Sequence, residues 1–264
     1  MGPIPLTPFD LALAATLVLL VAGTSYYGRL AISRPLLVGG LRTAVQLMLI
    51  GLVLEALFAF SRLYWVVLMA FVMLLFAGRE VMARQQRRFT GWWAYGLGTL
   101  AMFVSSFAVT VLALVAMIGP DPWYRPQYAI PLLGMLLGNT MSGVALALER
   151  LTQGAWQQRT IIEGRLLLGQ RWREAIGEVR REAMRSGMIP TISGMATAGV
   201  VSLPGMMTGQ ILSGVAPIEA VKYQILVIFL IAAGTGFGTQ LAVSVGSRRL
   251  FDERERLRLD RLSG

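Results

Sequence analysis

Long apolar stretches constrain this chain more than any other feature of its sequence. A helix needs about 20 mostly apolar residues to cross the hydrocarbon core of a bilayer. Only 14% of the residues are charged and 55% are hydrophobic, whereas a soluble domain has about a quarter of its residues charged. Seven stretches approach or exceed the spanning length: 11–26, 35–57, 63–77, 92–118, 130–148, 188–203 and 221–245. The sequence therefore predicts an all-α, polytopic membrane protein in which residues 1–264 form one transmembrane domain with seven spans.

The distribution of basic residues predicts how these spans are inserted. The net charge is +10, but the arginines lie at the ends of apolar spans, a pattern that reflects membrane topology and not nucleic-acid binding. If each of the seven spans crosses the membrane once, 20 of the 24 Lys and Arg residues lie in segments on the same side. Because cytoplasmic segments carry the excess of basic residues, we expect the N-terminus outside and the C-terminal tail, 248–264, in the cytoplasm.

Missing residue types exclude several kinds of chemistry. The chain contains no Cys and no His, and Lys222 is its single lysine. This excludes thiol nucleophiles, imidazole bases and zinc sites of the usual kind. No GxxxxGK[ST] sequence occurs, so any ATP that drives this protein is hydrolysed by another subunit. We predict that the chain is not an enzyme and needs no cofactor, with a serine–lysine site as the remaining enzymatic alternative.

The segment 149–190 differs from its apolar neighbours because it is charged and helical in pattern. It carries eight arginines and five glutamates, and lipid-embedded charges on that scale would be costly. From Trp172 onward its apolar residues recur at three- and four-residue steps, which is typical of one stripe of an amphipathic helix. We predict that 149–187 is a cytoplasmic loop that folds into helices and presents one face to another surface.

Within this loop, the sequence EGRLLLG at 163–169 resembles the EAA loop of ABC-transporter permeases. That loop is a short cytoplasmic helix that docks into a groove on the ATP-binding subunit. The resemblance is a Glu followed six residues later by a Gly, whereas the second and third positions hold Gly and Arg where the motif has Ala. The motif alone also fits a solvated loop helix, but the predicted cytoplasmic position favours the docking helix.

Small and polar residues interrupt the later spans. Gly134, Gly138 and Ser142 recur every four residues in the fifth span, a pattern that predicts close helix packing. The sixth span ends at Pro204-Gly205, which should break or kink a helix. The following stretch, 206–214, is predicted to be a re-entrant or interfacial segment, with a continuation of the sixth span as the alternative. The charged tail is predicted to form a solvated or lipid-contacting helix.

Several blocks of sequence together resemble the FetB family of iron-export ABC permeases, which also includes plant aluminium-tolerance permeases. These blocks are 130–142, 163–169, 188–192, 203–214 and 217–225, and the most specific of them contains PGMMTGQ at 204–210. The resemblance spans essentially the whole chain. It implies a permease that pairs with a separate FetA-type ATP-binding subunit and exports iron from bacteria. Plant relatives have been linked to nucleotide-sugar movement, so the substrate stays open.

Two sets of residues are predicted to carry the function that this resemblance implies. The ATPase-coupling set is Glu163, Arg165, Gly169, Trp172 and Ile176. The translocation set is Asn139, Thr140, Met141, Met206, Met207, Thr208 and Gln210. The methionines could ligate a metal in transit or fill gaps between helices. The ligands of a transported metal are not predicted, and the oxygen donors that could contribute are Glu55, Asn139, Thr140, Gln210 and Glu219.

The resulting hypothesis is the permease subunit of an ABC transporter in the bacterial inner membrane. We expect two copies to form the pathway, with an ATP-binding cassette subunit on each cytoplasmic loop and lipid around the spans. The alternatives are an ion-coupled secondary transporter or channel, and an ABC permease for a nucleotide sugar. A proton-coupled carrier usually holds acidic residues in mid-span, and these are lacking here. Arg42, within the second span, is expected either to line a cavity or to reach the inner headgroups.

Overall fold

Helices dominate this structure because lipid offers no hydrogen-bond partners to a peptide backbone, so each span must satisfy its own. The computed structural model describes residues 7–60 and 62–263, and predictions that fall on 1–6, 61 and 264 lie outside them. Within these residues six helical stretches are long and apolar enough to cross a membrane. They are α1 (Pro8–Tyr27), α2 (Ser33–Phe60), α3 (Leu63–Ala83), the stretch Trp92–Ile118, α6 (Pro126–Gln157) and α11 (Pro217–Arg249). The chain is a polytopic, mainly helical membrane protein.

Shorter elements connect and cover these six helices. The stretch Trp92–Ile118 is one continuous helix in which two π-helical segments interrupt the α-helical hydrogen bonding. Its parts are α4 (Trp92–Met102), a π segment (Phe103–Phe107), α5 (Ala108–Leu112) and a second π segment (Ala113–Ile118). The remaining elements are β1 (Arg88–Phe89), α7 (Arg159–Leu167), α8 (Trp172–Ala175), α9 (Gly177–Thr197), α10 (Gly205–Leu212), a 3-10 turn (Leu259–Arg261) and β2 (Leu262–Ser263).

The predicted sixth span, 188–203, is not a helix of its own. Its first part is the end of α9, which begins in the arginine-rich segment and continues past Pro190 without a break. The charges of its first half keep α9 from being one of the six apolar helices. At the other end, Gly199 adopts a left-handed φ of 83° and its N–H donates to the Ser202 carbonyl, which turns the chain into α10. Six helices in the described residues are therefore apolar enough to span on their own, and the crossing predicted over 188–203 stays a prediction.

The centre of the bundle is a close contact between α6, α9 and α11. A Cβ added at Gly187 on α9 would lie 2.7 Å from the Gly143 carbonyl oxygen on α6. One added at Gly238 on α11 would lie 2.6 Å from Thr140 Cγ2 on α6. Small residues therefore bring the three backbones together, as is usual in membrane bundles. The prediction that Gly138 belongs to the packing face of α6 is wrong, because an added Cβ there would meet no described atom within 4 Å.

Three of the four basic segments that the sequence assigns to one side of the membrane pack together in a single layer. Thr152 Oγ1, on the last turns of α6, donates to the Arg87 carbonyl at 2.8 Å. The Trp172 N–H at the start of α8 donates to Glu255 Oε2 of the tail at 3.0 Å. The strand pair β1–β2 joins the tail to the segment before α4. The tail is consequently folded back on the protein, and the prediction that it forms a helix is wrong.

Candidate functional site

The end of α7 forms the most exposed apolar point of the arginine-rich layer. Leu167 is 89% exposed and Leu168 is 85% exposed, side by side at the last turn of the helix. Gly169 then takes a left-handed φ of 86°, a conformation that suits glycine. Its N–H donates to the Leu166 carbonyl, and the Gln170 N–H donates to the Arg165 carbonyl, so the last carbonyls of α7 are satisfied. We call residues 166–170 the α7 tip.

The α7 tip is held in place by contacts with α8 and α9. Arg165 Nη2 pairs with Glu178 Oε2 on α9 at 3.0 Å, and Arg165 Nη1 donates to the Ala175 carbonyl at 3.4 Å. Ile162, on the other face of α7, is 1% exposed and belongs to the core. The helix is therefore anchored on one face while its tip stays open to a partner.

The structure divides the predicted ATPase-coupling set. Glu163 and Gly169 are exposed near the α7 tip, and Arg165 anchors α7 from within. Ile176 is fully buried in the core, and the Trp172 ring packs against Phe251 of the tail with ring centroids 5.5 Å apart. The amphipathic stripe that begins at Trp172 therefore faces the protein's own core, so its members Trp172 and Ile176 do not form an open docking face.

Sequence reasoning missed the two exposed leucines of the α7 tip. The signal was present, because Leu167 and Leu168 stand directly before a glycine at the end of an amphipathic helix, where a left-handed glycine commonly ends the helix. Leu167 also lines a cleft of about 730 Å³ between the α7 tip and the tail, together with Glu163, Gln170, Arg254 and Arg256. The site thus includes the tail, which lies about 90 residues further along the chain.

The tail turn that borders this cleft is built around Asp252. Its Oδ1 accepts the backbone N–H groups of Arg254 and Arg256, both at 2.9 Å, and its Oδ2 pairs with the Arg256 guanidinium at 2.7 Å. The backbone N–H of Arg256, with these other donors, holds the pKa of the Asp252 carboxyl below its usual value. Asp252 therefore remains ionised at neutral pH and fixes the turn.

A second candidate region is a cavity of about 570 Å³ between α2, α3 and α6. Arg42 of α2 pairs with Glu80 of α3 across it, with Arg42 Nη1 2.9 Å from Glu80 Oε1. Arg42 therefore lines a cavity, one of the two positions that its sequence allowed. The rest of the lining is mostly apolar, and it includes one further polar group, two glycines and three thioethers: Gln46, Gly134, Gly138, Met69, Met73 and Met141.

The predicted translocation set is spread over three environments. Met141 lines the α2–α3–α6 cavity, whereas Asn139 is exposed and its Nδ2 donates to the Met135 carbonyl one turn earlier. Thr140 is buried against α11. The α10 members are partly buried or buried, and none of them lines that cavity: Met206, Met207, Thr208 and Gln210. The structure therefore does not gather this set into one site.

Buried polar atoms without partners concentrate where α6, α11 and the first π segment meet. The hydroxyl oxygens of Ser106, Thr140, Thr235 and Thr239 find no hydrogen-bond partner among the described residues. Thr140 and the two α11 threonines are fully buried, so this contact has a polar interior at the centre of the bundle. Within residues 7–60 and 62–263 there is no group of three acidic, His or Cys side chains that could hold a metal ion.

A family model described as an uncharacterised protein family, UPF0014, matches residues 8–251. The chain belongs to the UPF0014 family. A UPF0014 membrane protein of Synechocystis is 38% identical to it, over 84% of this chain and 85% of its own length. The probable iron export permease protein FetB of Escherichia coli is 31% identical, over 96% of this chain and 95% of FetB. The resemblance to FetB drawn from the sequence blocks is thereby confirmed.

A plant relative extends the range of names within the family. The Arabidopsis thaliana protein ALUMINUM SENSITIVE 3 is 31% identical, over 85% of this chain and 80% of its own length. No solved structure matches the chain. Family membership and the six apolar helices together make this chain a multi-pass membrane protein of a permease family.

Proposed function

We propose that this UPF0014 chain is the permease subunit of an ABC transporter that exports iron or another metal ion. ATP is hydrolysed on a separate ATP-binding cassette subunit of the FetA type, which docks on the α7 tip from the cytoplasm. The chain lies in a bacterial inner membrane with its N-terminus outside. Two copies form the pathway, and the exposed faces of α1 and α2 contact lipid or the second copy. FetB, named as a probable iron export permease, supports this substrate class.

The observation that carries the proposal is the α7 tip itself. Two leucines that are 89% and 85% exposed stand on a helix that is otherwise anchored to the protein. An apolar point of this kind gains free energy when a partner covers it, at about 25 cal/mol for each Å² removed from water. Arg165 ties α7 to Glu178 at the start of α9, and α9 runs without a break to Thr197 against α6 and α11. A push on the α7 tip is thus carried into the bundle by one rigid helix.

The cargo route that we propose runs through the α2–α3–α6 cavity. Gln46 and Glu80 supply oxygen atoms there, and Met69, Met73 and Met141 supply thioethers. Oxygen donors suit hard ions, and thioethers suit soft ones. Of the predicted translocation set, Met141 belongs to this route. We propose that the members on α10 instead move with α9 through the connecting turn: Met206, Met207, Thr208 and Gln210. Glu163 and Gly169 are the proposed docking residues of the coupling set.

The docking proposal is tested by co-expressing the chain with a FetA-type ATP-binding subunit. We expect wild-type chain to co-purify with the subunit and Leu167→Asp/Leu168→Asp to lose it. The matched control is Val200→Asp/Val201→Asp, two residues that are 90% and 79% exposed on the turn after α9, which should bind normally. Failure of wild type to bind, or equal loss in both variants, would count against the proposal.

The transport step is tested with the purified complex in liposomes. We expect ATP-dependent movement of Fe²⁺ that stops when ATP is withheld or when Glu80 is changed to Gln. Movement of Fe²⁺ by the chain alone without ATP would instead establish a secondary transporter or channel. ATP-dependent movement of UDP-glucose without any movement of Fe²⁺ would keep the ABC mechanism and replace the substrate.

A further inference from the structure

An apolar groove runs along the outside of the bundle between α4 and α11. Its walls come from residues spaced one helical turn apart on each helix: Trp92, Gly96 and Leu100 on α4, and Leu241 and Val245 on α11. Eight residues of α-helix cover about 12 Å, so the α4 wall extends that far into the apolar stretch. The volume of the groove is about 250 Å³. Its occupant must be apolar, because the lining offers it almost no hydrogen-bonding group.

The groove opens at one end into a cleft that is rich in arginine. This cleft, of about 490 Å³, shares Trp93 and Val245 with the groove. Its cationic lining residues are Arg173, Arg248, Arg249 and Arg261. The guanidinium carbon of Arg249 lies 4.8 Å from the centre of the Trp93 ring, at the junction of groove and cleft. Apolar and cationic surfaces therefore meet at a single point on the protein.

Three acidic residues, Asp252, Glu253 and Glu255, also line the cleft, but none of them forms an ion pair with its four arginines. The ion pairs found within residues 7–60 and 62–263 include none of the four cleft arginines. Asp252 is already bound by Arg256, and Glu255 accepts the Trp172 N–H, which leaves Glu253 as the exposed carboxylate of the cleft. Arg261 is used in part by the fold, since it donates to the carbonyls of Arg249 and Phe251.

A second cationic pocket continues from this cleft. It shares Arg173 and is lined further by Arg180, Arg181 and Gln240, with no acidic residue in its lining, in a volume of about 450 Å³. The Nε atom of Arg180 is buried and finds no hydrogen-bond partner in the described part of the chain. Burial, together with the neighbouring charge of Arg173, lowers the pKa of Arg180. The positive charge at the end of the groove is thus both concentrated and unsatisfied.

We propose that the groove and the arginine cleft together bind one molecule of an anionic phospholipid. An acyl chain lies in the groove past Trp93, Gly96 and Leu100, and the phosphate group is held by Arg248 and Arg249. Arginine suits this role because its planar fork donates two hydrogen bonds to phosphate oxygens. Tryptophan suits the junction, because its ring is favoured at the level of the lipid headgroups. A bound lipid links α4, α11 and the tail at the edge of the membrane.

An anionic lipid fits these surfaces better than other occupants do. A free phosphate would leave the apolar groove empty, and a neutral lipid would leave the arginines without a partner. A helix of a second copy would fill the groove but would bring no anion with it. The combination of one apolar channel with a cluster of unpaired arginines at its end is what lipid recognition at the headgroup level requires.

The experiment uses the full chain in a mild detergent and measures bound phosphatidylglycerol and phosphatidylcholine by native mass spectrometry. We expect wild type to prefer phosphatidylglycerol. Each arginine near an anionic lipid contributes about 1 kcal/mol, which is about fivefold in affinity. Arg248→Gln should thus weaken phosphatidylglycerol binding about fivefold. The double change Arg248→Gln/Arg249→Gln should weaken it roughly 25-fold and abolish the preference.

Two matched controls separate the lipid site from general effects. Arg125→Gln removes an exposed arginine from the loop before α6, and it should leave lipid binding unchanged. Gly96→Leu fills the groove, where an added Cβ meets no described atom within 4 Å, whereas Gly51→Leu adds the same side chain at an equally open position on α2. Gly96→Leu should reduce binding of both lipids several-fold, and Gly51→Leu should not.

Four results would overturn the proposal. The first is equal binding of the two lipids by wild type. The second is a loss of lipid binding in Arg125→Gln as large as that in Arg248→Gln. Arg248 is exposed, so its change to Gln does not threaten folding. The third is a Gly96→Leu variant that dissociates a dimer without changing lipid binding, which would assign the groove to a second copy. Full competition by inorganic phosphate with no effect of Gly96→Leu would likewise assign the arginines to a free anion.

Discussion

The N-terminal helices α1 and α2 and the central helix α6 have similar hydrophobicity but pack very differently. In α2 none of the most apolar window is buried inside the protein, and in α1 only 11% is. In α6 the corresponding share is 56%. The apolar residues of α1 and α2 therefore face outward almost everywhere, whereas α6 contacts α3, α9 and α11 on several sides. We call α1 and α2 the outer pair and α6, α9 and α11 the packed core.

The comparison teaches that hydropathy identifies a membrane helix but does not say whether lipid or protein surrounds it. What distinguishes the packed core is the placement of small residues. Gly143 and Gly187 allow α6 and α9 to approach until a Cβ would lie within 3 Å of the opposite backbone. In α2, by contrast, an added Cβ at Gly39 or Gly51 meets no described atom within 4 Å. The open glycines of the outer pair are therefore replaceable, whereas the glycines at the close contacts of the core, such as Gly143 and Gly187, are not.

The strongest test of the difference between the outer pair and the packed core is to add one methyl group to each. Gly187→Ala places a Cβ 2.7 Å from the Gly143 carbonyl oxygen and 2.9 Å from Ala147 Cβ, so a backbone must move. Overpacking of this kind costs about 3 kcal/mol. Gly51→Ala meets open space and should leave stability unchanged or raise it slightly, because alanine is the better helix former. The measurement is the thermal transition of each purified variant in one detergent.

Equal melting temperatures for Gly187→Ala and Gly51→Ala would contradict the distinction. Loss of expression in Gly187→Ala alone would be an extreme form of the expected effect. To separate packing from helix propensity, Gly164→Ala on α7 serves as a third variant, since its Cβ also meets no described atom within 4 Å. It should behave like Gly51→Ala.

The second prediction concerns the α7 tip, which the packed core holds through α9. Gly169→Ala places a Cβ at a φ of 86°, and left-handed backbone costs a residue with a Cβ about 1 kcal/mol. We expect the end of α7 to loosen and the affinity for a FetA-type subunit to fall about fivefold. Hydrogen exchange of the tip amides and co-purification measure the two effects. Gly164→Ala, on the same helix, should change neither, and an equal loss in both variants would contradict the role of φ.

Much of this architecture could be predicted from the sequence, and the misses have physical reasons. All six apolar helices follow from the length of the apolar stretches, because each overlaps a stretch that approaches or exceeds the spanning length. The bounds of the sixth predicted span were wrong, because α9 carries the arginine-rich segment and most of this stretch on one continuous helix that ends at Thr197. The prediction of a helical tail was wrong because the tail pairs with β1 through β2. That pairing joins residues about 175 positions apart, and local periodicity cannot indicate a contact over that distance.

The candidate sites were predicted only in part for a related reason. The motif places Glu163 and Gly169 in a short local segment and both are exposed, while their docking role stays a prediction. The Arg42–Glu80 pair could not be predicted, because the sequence alone does not set how α2 and α3 are rotated about their axes. Ile176 was assigned to a docking face because an amphipathic stripe indicates burial without saying against what. The apolar stripe is buried, as its periodicity predicts, but it packs against the core of this chain and not against a partner.

The third prediction tests what attaches the outer pair. Arg42 and Glu80 join α2 to α3 at 2.9 Å, with 45% and 29% of their side chains exposed. Screening by solvent limits such a pair to about 1 kcal/mol. Arg42→Gln should lower the free energy of unfolding by that amount, and Arg42→Glu/Glu80→Arg should restore part of it. A double-mutant cycle measures the coupling. The exposed pair Arg150–Glu182, 3.2 Å apart, is the control and should couple more weakly.

The smallest expected effect concerns the tail, which is tied to the packed core and not to the outer pair. The Arg258 guanidinium, through its hydrogen bonds, lowers the pKa of Asp260 from its usual 3.8 to about 2. Because the folded pKa lies below the unfolded one, the ionised pair stabilises the fold fully above about pH 4, and this stabilisation is lost as the pH falls toward 2.

Exchange of the tail amides, corrected for intrinsic rates, should therefore not differ between pH 5 and pH 8. Asp260→Asn should speed that exchange at both pH values while leaving α1 and α2 unchanged, and Asp121→Asn should do neither. Identical tail exchange in Asp260→Asn and wild type would show that the strand pair alone holds the tail.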